Sequence, residues 1–229
     1  MNRDYPKIEA KTWKWILALI LTLASFYGVS LLFYYLKINN EIIMASAVSA
    51  ISLLSLLTID KKFIKKIFLP IRAKDLLYII IGLGFSLIAI VISSILVQKL
   101  GIEGSNNPIF DVLTEDNFKS FFLSTLIQFI AEEIIFIIPF LFIINKVKIE
   151  NNIIKTILAI LISSIIFGAM HLSTYDFNIL QAVLIISIIR TGLSMSYVIS
   201  KNLSVTYIIH IIYDWTLIFI YIAAGQMIK

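Results

Sequence analysis

The sequence predicts an all-α membrane protein, a polytopic bundle of about seven transmembrane helices. Of its 229 residues, 60% are hydrophobic and only 14% charged, with a mean hydropathy of +0.98. A soluble domain runs near 45–50% apolar and about 25% charged, so this chain holds more apolar side chain than one water-facing fold can bury. The excess falls in blocks of roughly 20 residues, the helix length that crosses about 30 Å of hydrocarbon. Backbone in lipid must satisfy its own hydrogen bonds, and the alternating ten-residue pattern of a barrel is absent, so the blocks are expected to be helices.

In chain order the blocks are Trp13–Tyr35, Ile42–Ile59, Leu76–Gln98, Phe121–Ile144, Ile157–Met170, Ile179–Ile199 and Leu203–Ala224. The first lacks a small-residue cleavage signal and is followed by six more, so it reads as a membrane helix rather than a signal peptide. Gly101, Gly104, Asn106, Asn107 and Pro108 mark the longest loop. The fifth block is short unless it runs to His171 and back toward Lys155. No eighth helix, internal repeat or soluble domain is visible. Residues 1–117, with three membrane helices, read as a scaffold, and residues 118–229, with four, as the part carrying the site. Together they form one integral membrane unit.

Charge orients the chain. The net charge of +5 and pI near 9.3 are explained by basic loops on one side of a membrane, without a nucleic-acid partner. Arg3, Lys7, Lys11 and Lys14 precede the first helix; Lys61, Lys62, Lys65, Lys66, Arg72 and Lys74 fill the second loop. Lys146, Lys148 and Lys155 lie in the fourth loop and Lys201 in the sixth, against Lys37, Lys99, Lys119 and Lys229 on the other side. Loop charge of this kind places the N-terminus in the cytoplasm and the C-terminus outside. Asp60–Asp75 mixes lysines with Phe63, Ile64, Ile67, Phe68 and Leu69, and reads equally as a stretch along the inner leaflet or a plain basic loop. With no cysteine, disulfides, thiolate nucleophiles and cysteine-bound metals are excluded.

Six ionisable residues lie within or at the ends of the last four blocks: Glu132, Glu133, His171, Arg190, His210 and Asp214. Each costs about 2.5–3.5 kcal/mol to place in a bilayer. Counted from the nearest cytoplasmic lysine at 1.5 Å per residue, their depths span roughly 14–24 Å, so four helices bring them to one slab near mid-membrane. Singly each has an ordinary explanation: a structural carboxylate pair, an interfacial histidine, an intrahelical His210–Asp214 bond, a snorkelling arginine. Shared depth in an otherwise uncharged interior points instead to one constellation. Adjacent helical residues point about 100° apart, so only one of Glu132 and Glu133 aims at a shared centre.

Two histidines and a glutamate match the ligands of a hydrolytic zinc site, with a further carboxylate as base. A metal-free alternative is equally coherent: a carboxylate partnered by histidine activates water, and polar side chains hold the oxyanion. Serine catalysis finds no Gly-x-Ser-x-Gly motif.

Glu132-Glu133, then Phe167-Gly168-Ala169-Met170-His171, then His210-Ile211-Ile212-Tyr213-Asp214 resemble the three motifs of the CPBP family, the CAAX proteases and bacteriocin-processing enzymes also called Abi. Those motifs are Glu-Glu-x-x-x-Arg, Phe-x-x-x-His and His-x-x-x-Asn/Asp on successive membrane helices, and the resemblance covers about 118–224. It implies an intramembrane endopeptidase acting on a membrane-associated protein or peptide precursor. Glu132 would be the water-activating carboxylate, assisted by His171; His210 and Asp214 would bind the oxyanion or support the site, and Glu133 would orient it. Phe167 is the motif aromatic. A cofactor is left open; if it is Zn²⁺, the ligands would be Glu132, His171 and His210. The implied setting is a bacterial plasma membrane.

One position departs from the pattern. The family arginine falls on Ile137, which cannot pair with a carboxylate, and Arg190 is expected to supply the missing positive charge. Two rival functions fit the same composition: a catalytically impaired scaffold or regulator of a membrane partner, and a proton-coupled transporter using Glu132, Glu133 and Arg190 as a relay.

Overall fold

The computed structural model describes residues 3–105, 107, 113–114 and 116–224. Its helices are α1 (Thr12–Leu36), α2 (Glu41–Ile59), α3 (Phe63–Ile67), α4 (Ala73–Leu100), α5 (Phe118–Lys146), α6 (Asn152–Met170), α7 (Ser187–Ser200) and α8 (Leu203–Ala223). A π-helical stretch, Leu180–Ile186, runs directly into α7. Among the described residues there is no strand. Seven helical segments are long and apolar enough to cross a membrane, and the protein is a multi-pass membrane protein.

An eighth helix does exist, contrary to the sequence reading. α3 has five residues, too few to register as a hydropathy block. Its Phe63 and Ile67 are fully buried against the bundle core. Asp60 fixes the corner before it: one carboxylate oxygen accepts from the Lys62 backbone N–H at 2.7 Å and the other from Lys66 Nζ at 2.6 Å. Elsewhere asparagines start helices. Asn40, Asn151 and Asn202 each accept a first-turn N–H at the head of α2, α6 and α8, a contribution of about 1 kcal/mol apiece. In the longest loop, Gly101 ends α4 at φ +60°; Asn106 and Pro108 lie outside the described residues.

α5 is the core of the bundle. In its most apolar stretch 72% of residues are buried, against 22–50% in the other spans. It packs on α1, α2, α6 and α8, while α7 sits against α4, α6 and α8. The α4–α7 contact is close: a Cβ on Gly192 would lie 2.6 Å from Ala89 Cβ and 2.9 Å from the Phe85 carbonyl.

The basic end is closed by the residues ahead of α1. Arg3 forms a forked pair with Asp75, at 2.6 and 2.9 Å, and donates to the Pro70 carbonyl at 2.9 Å. Tyr5 packs on Phe140 and Tyr197, and the Ile8 N–H donates to Asn145 Oδ1 at 2.9 Å. Asn202 clasps both backbone groups of Leu69, at 2.9 and 3.0 Å. Asp75 lies in the first turn of α4, just ahead of the apolar block, where it pairs with Arg3.

Candidate active site

Glu132 lies at the midpoint of α5, 14 residues from Phe118 and 14 from Lys146. Glu133, next to it, is completely buried. The two carboxylates part as the helical phase requires. Glu133 turns toward α7 and α8; Glu132 turns toward a cavity between α1, α5 and α6.

Arg190 of α7 donates from Nη1 to Glu133 Oε1 at 2.7 Å and from Nη2 to Oε2 at 2.8 Å. Both side chains are wholly buried. The guanidinium is sandwiched between aromatic faces, its Cζ 4.3 Å from the Phe136 centroid and 4.8 Å from that of Phe167. A planar, always-charged group suits this place, since it bridges a carboxylate with two bonds and stacks on rings at once. Ile137, where the family motif has arginine, is fully buried in the apolar core. The positive charge that pairs with Glu133 comes from α7. Just before α7 the π-helical stretch ends; its i→i+5 bonds add residues to the turn and reset the helical phase of α7, Arg190 included.

His210 of α8 joins the three carboxylates. Its Nδ1 donates to Glu133 Oε1 at 2.7 Å. Its Nε2 faces Asp214 Oδ2 at 2.9 Å and Glu132 Oε2 at 3.7 Å. The Asp214 contact is an ion-pair approach without hydrogen-bond alignment, for that oxygen has no hydrogen-bond partner among the described residues. Phe129 stacks on the ring at 4.5 Å and 20°.

His171 caps the end of α6, with Nδ1 2.9 Å from the Phe167 carbonyl. Phe167 packs on His171 at 4.7 Å and edge-on to His210 at 6.4 Å, so one aromatic touches Arg190 and both histidines. Gly168 permits this fit: a Cβ there would run into the Ala182 carbonyl and Ser187 Oγ. His171, Gln128 and Glu132 line one cavity of about 420 Å³ together with Tyr27 and Met170.

The donors do not suit a metal in the arrangement expected from the sequence. Among the described residues no three His, Asp or Glu side chains gather as a ligand set, so Glu132, His171 and His210 do not assemble as zinc ligands. His210 is engaged at Nδ1 by Glu133 and faced at Nε2 by Asp214, which leaves Glu132 and His171 alone on the cavity.

Residues 114–216 match the family model of the type II CAAX prenyl endopeptidases, Rce1-like. Over this segment the chain is similar to that family. No curated protein and no solved structure matches the chain. The Rce1-like segment runs from just before α5 to within α8 and holds Glu132, Glu133, His171, Arg190, His210 and Asp214. That family is one of proteases.

Two residues near Glu132 escaped the sequence reading, Gln128 on the cavity and Tyr175 just outside its lining. Gln128, one turn before the glutamates, donates from Nε2 to Glu132 Oε1 at 2.9 Å. Tyr175 is buried in the short 3₁₀ turn after His171. Burial first, then the charge of Asp214 and to a lesser extent of Glu132, push its hydroxyl up to about 12, and a contact from Asn107 only partly offsets this. A phenol held neutral beside two carboxylates is a standing O–H donor. Only its place four residues after His171 hinted at it.

Proposed function

We propose that this protein is an intramembrane endopeptidase that hydrolyses a peptide bond in a membrane-associated protein or peptide precursor. The observation that carries the reading is that Glu132 and His171, from two helices of the Rce1-like segment, line one cavity. The setting proposed is a bacterial plasma membrane; the basic loops support an orientation with the N-terminus cytoplasmic and the C-terminus outside. The first three membrane helices serve as scaffold.

Glu132 takes a proton from a water held between it and His171. The hydroxide attacks the scissile carbonyl carbon, and the oxyanion is held by a hydrogen-bond donor on the cavity, for which Gln128 is the candidate. The proton passes from Glu132 to the leaving nitrogen as the C–N bond breaks, giving a carboxylic acid and an amine and restoring Glu132; the new acid then passes its proton to the amine, leaving a carboxylate and an ammonium. Glu133, Arg190 and His210 act as positioning residues. The buried pair fixes the carboxylate that orients His210, and His210 stands beside Glu132. Asp214 accepts but does not donate when ionised, so it supports His210 instead of binding the oxyanion.

The test is purified protein in proteoliposomes with a quenched, membrane-anchored peptide library, the products read by mass spectrometry. Cleavage at defined bonds is expected. No turnover by wild type under any condition, with the fold intact, would favour the scaffold reading.

A further inference from the structure

We propose that the basic end of the bundle holds one anionic phospholipid in a groove between α1, α5 and α6. Its acyl chain lies on the apolar walls and its phosphate among Lys11, Lys14, Lys146 and Lys148. The site is separate from the peptidase cavity, since none of Gln128, Glu132 and His171 lines it.

The groove measures about 340 Å³. Pro139 and Phe142 of α5 form its floor, with Trp15 and Ile16 of α1 on one wall and Ile162 of α6 on the other. Ile16 is 53% exposed and Ile162 43%, so the groove opens on the lipid-facing surface of the bundle. At its basic end lies Val147, the residue that follows α5.

That end is where the cations stand. Lys146 and Lys148 flank Val147 and are exposed, and Lys11 and Lys14 lie within four residues ahead of Trp15. Among the described residues none of these four lysines is in an ion pair, whereas Arg3 and Lys66 at the same end are engaged by Asp75 and Asp60. An apolar body that ends in free cations is complementary to a lipid with an anionic head. Trp15 adds a third observation: it is the one lining residue with a polar side-chain atom, it is 2% exposed, and its indole N–H has no hydrogen-bond partner among the described residues. A phospholipid carries ester carbonyls between phosphate and chain, acceptors of the kind this wall lacks.

The chain has three tryptophans, so Trp13→Phe with Trp215→Phe leaves Trp15 as the only indole. In phosphatidylcholine proteoliposomes, a small fraction of phosphatidylglycerol brominated on its acyl chains should quench Trp15 with an apparent affinity at least about fivefold above that of brominated phosphatidylcholine. Adding Lys146→Gln and Lys148→Gln should cut this preference by at least about fivefold, since each lysine near the headgroups contributes about that factor. Lys62→Gln with Lys65→Gln, exposed at the α3 corner of the same end, should change it less than about twofold. Equal quenching by the two lipids would overturn the proposal, and so would none by either, which would mean that a helix of another copy covers the groove. Equal losses from both lysine pairs would reduce the effect to diffuse surface charge and overturn it as well. Inorganic phosphate at matched ionic strength should leave the preference unchanged; its abolition would assign the cations to a free anion and remove the lipid. A second measurement needs no substitution. Wild-type protein stripped of lipid in detergent should retain a single phosphatidylglycerol in native mass spectrometry under activation that removes phosphatidylcholine, and equal retention of the two would contradict the site.

Discussion

Arg190 and Glu133, 57 positions apart in the chain, form a two-bond ion pair with no solvent exposure on either side chain. A buried pair of this kind adds little net stability over an apolar replacement, but removing one partner strands the other charge at a cost of about 3–5 kcal/mol. Arg190→Met is therefore expected to destabilise the protein by about that amount. Adding Glu133→Gln should recover much of the loss. Thermal unfolding in detergent measures both, and a double variant no more stable than the single would show that the pair is not coupled.

The place of that charge on α7 gives a second prediction. Ile137→Arg restores the family motif on α5 but places a second guanidinium in a fully buried apolar cluster while Arg190 remains. It should cost several kcal/mol, on the order of 3–5. Combining it with Arg190→Leu returns the net charge to its original value and is expected to be milder than Ile137→Arg alone. The same unfolding assay decides this.

Most of the fold and much of the site were legible in the sequence, for a physical reason. In lipid, apolar blocks must be helices, and every ionisable residue inside them stands out by its cost. That logic reaches the seven spans, the relevance of Arg190 to Glu133, and Glu132 and His171 as neighbours. It does not reach α3, whose five residues leave no hydropathy signature, nor Asp75, whose partner Arg3 lies 72 residues away. Gln128 and Tyr175 are uncharged and carry no insertion penalty large enough to mark them. The zinc set failed because spacing along separate helices says nothing of which way each ring turns: His210 turns to Glu133 and Asp214, His171 to the cavity.

Tyr175 gives a pH prediction whose sign is set by its burial. Its hydroxyl titrates near 12 in the folded protein against an ordinary 10.0. The neutral form is favoured on folding, so its contribution is fully present below pH 10 and is lost as pH rises through about 12. Stability of wild type should therefore fall relative to Tyr175→Phe over that interval. The difference in tyrosinate absorbance between the two should also appear at the alkaline end. A difference titrating near 10 would place the hydroxyl in water.

The closed basic end is testable apart from catalysis. Arg3→Ala removes the fork on Asp75, whose side chain is 1% exposed. It should cost about 1–3 kcal/mol and open residues 3–11 to limited proteolysis. Cleavage of an anchored peptide should change less than about twofold, well below the factor of ten that 1.4 kcal/mol at the site would produce. A large loss of turnover would mean that the amino-terminal segment reaches the site.

The central claim is that Glu132 activates water. Glu132→Gln keeps the size of the side chain and a carbonyl acceptor for Gln128 but cannot take a proton. Turnover of an anchored peptide by this variant, in protein whose unfolding temperature matches wild type, is the most direct measurement. The account predicts a fall in kcat of at least about 10²-fold, the lower end of what general-base catalysis contributes. Turnover within a few-fold of wild type would contradict it.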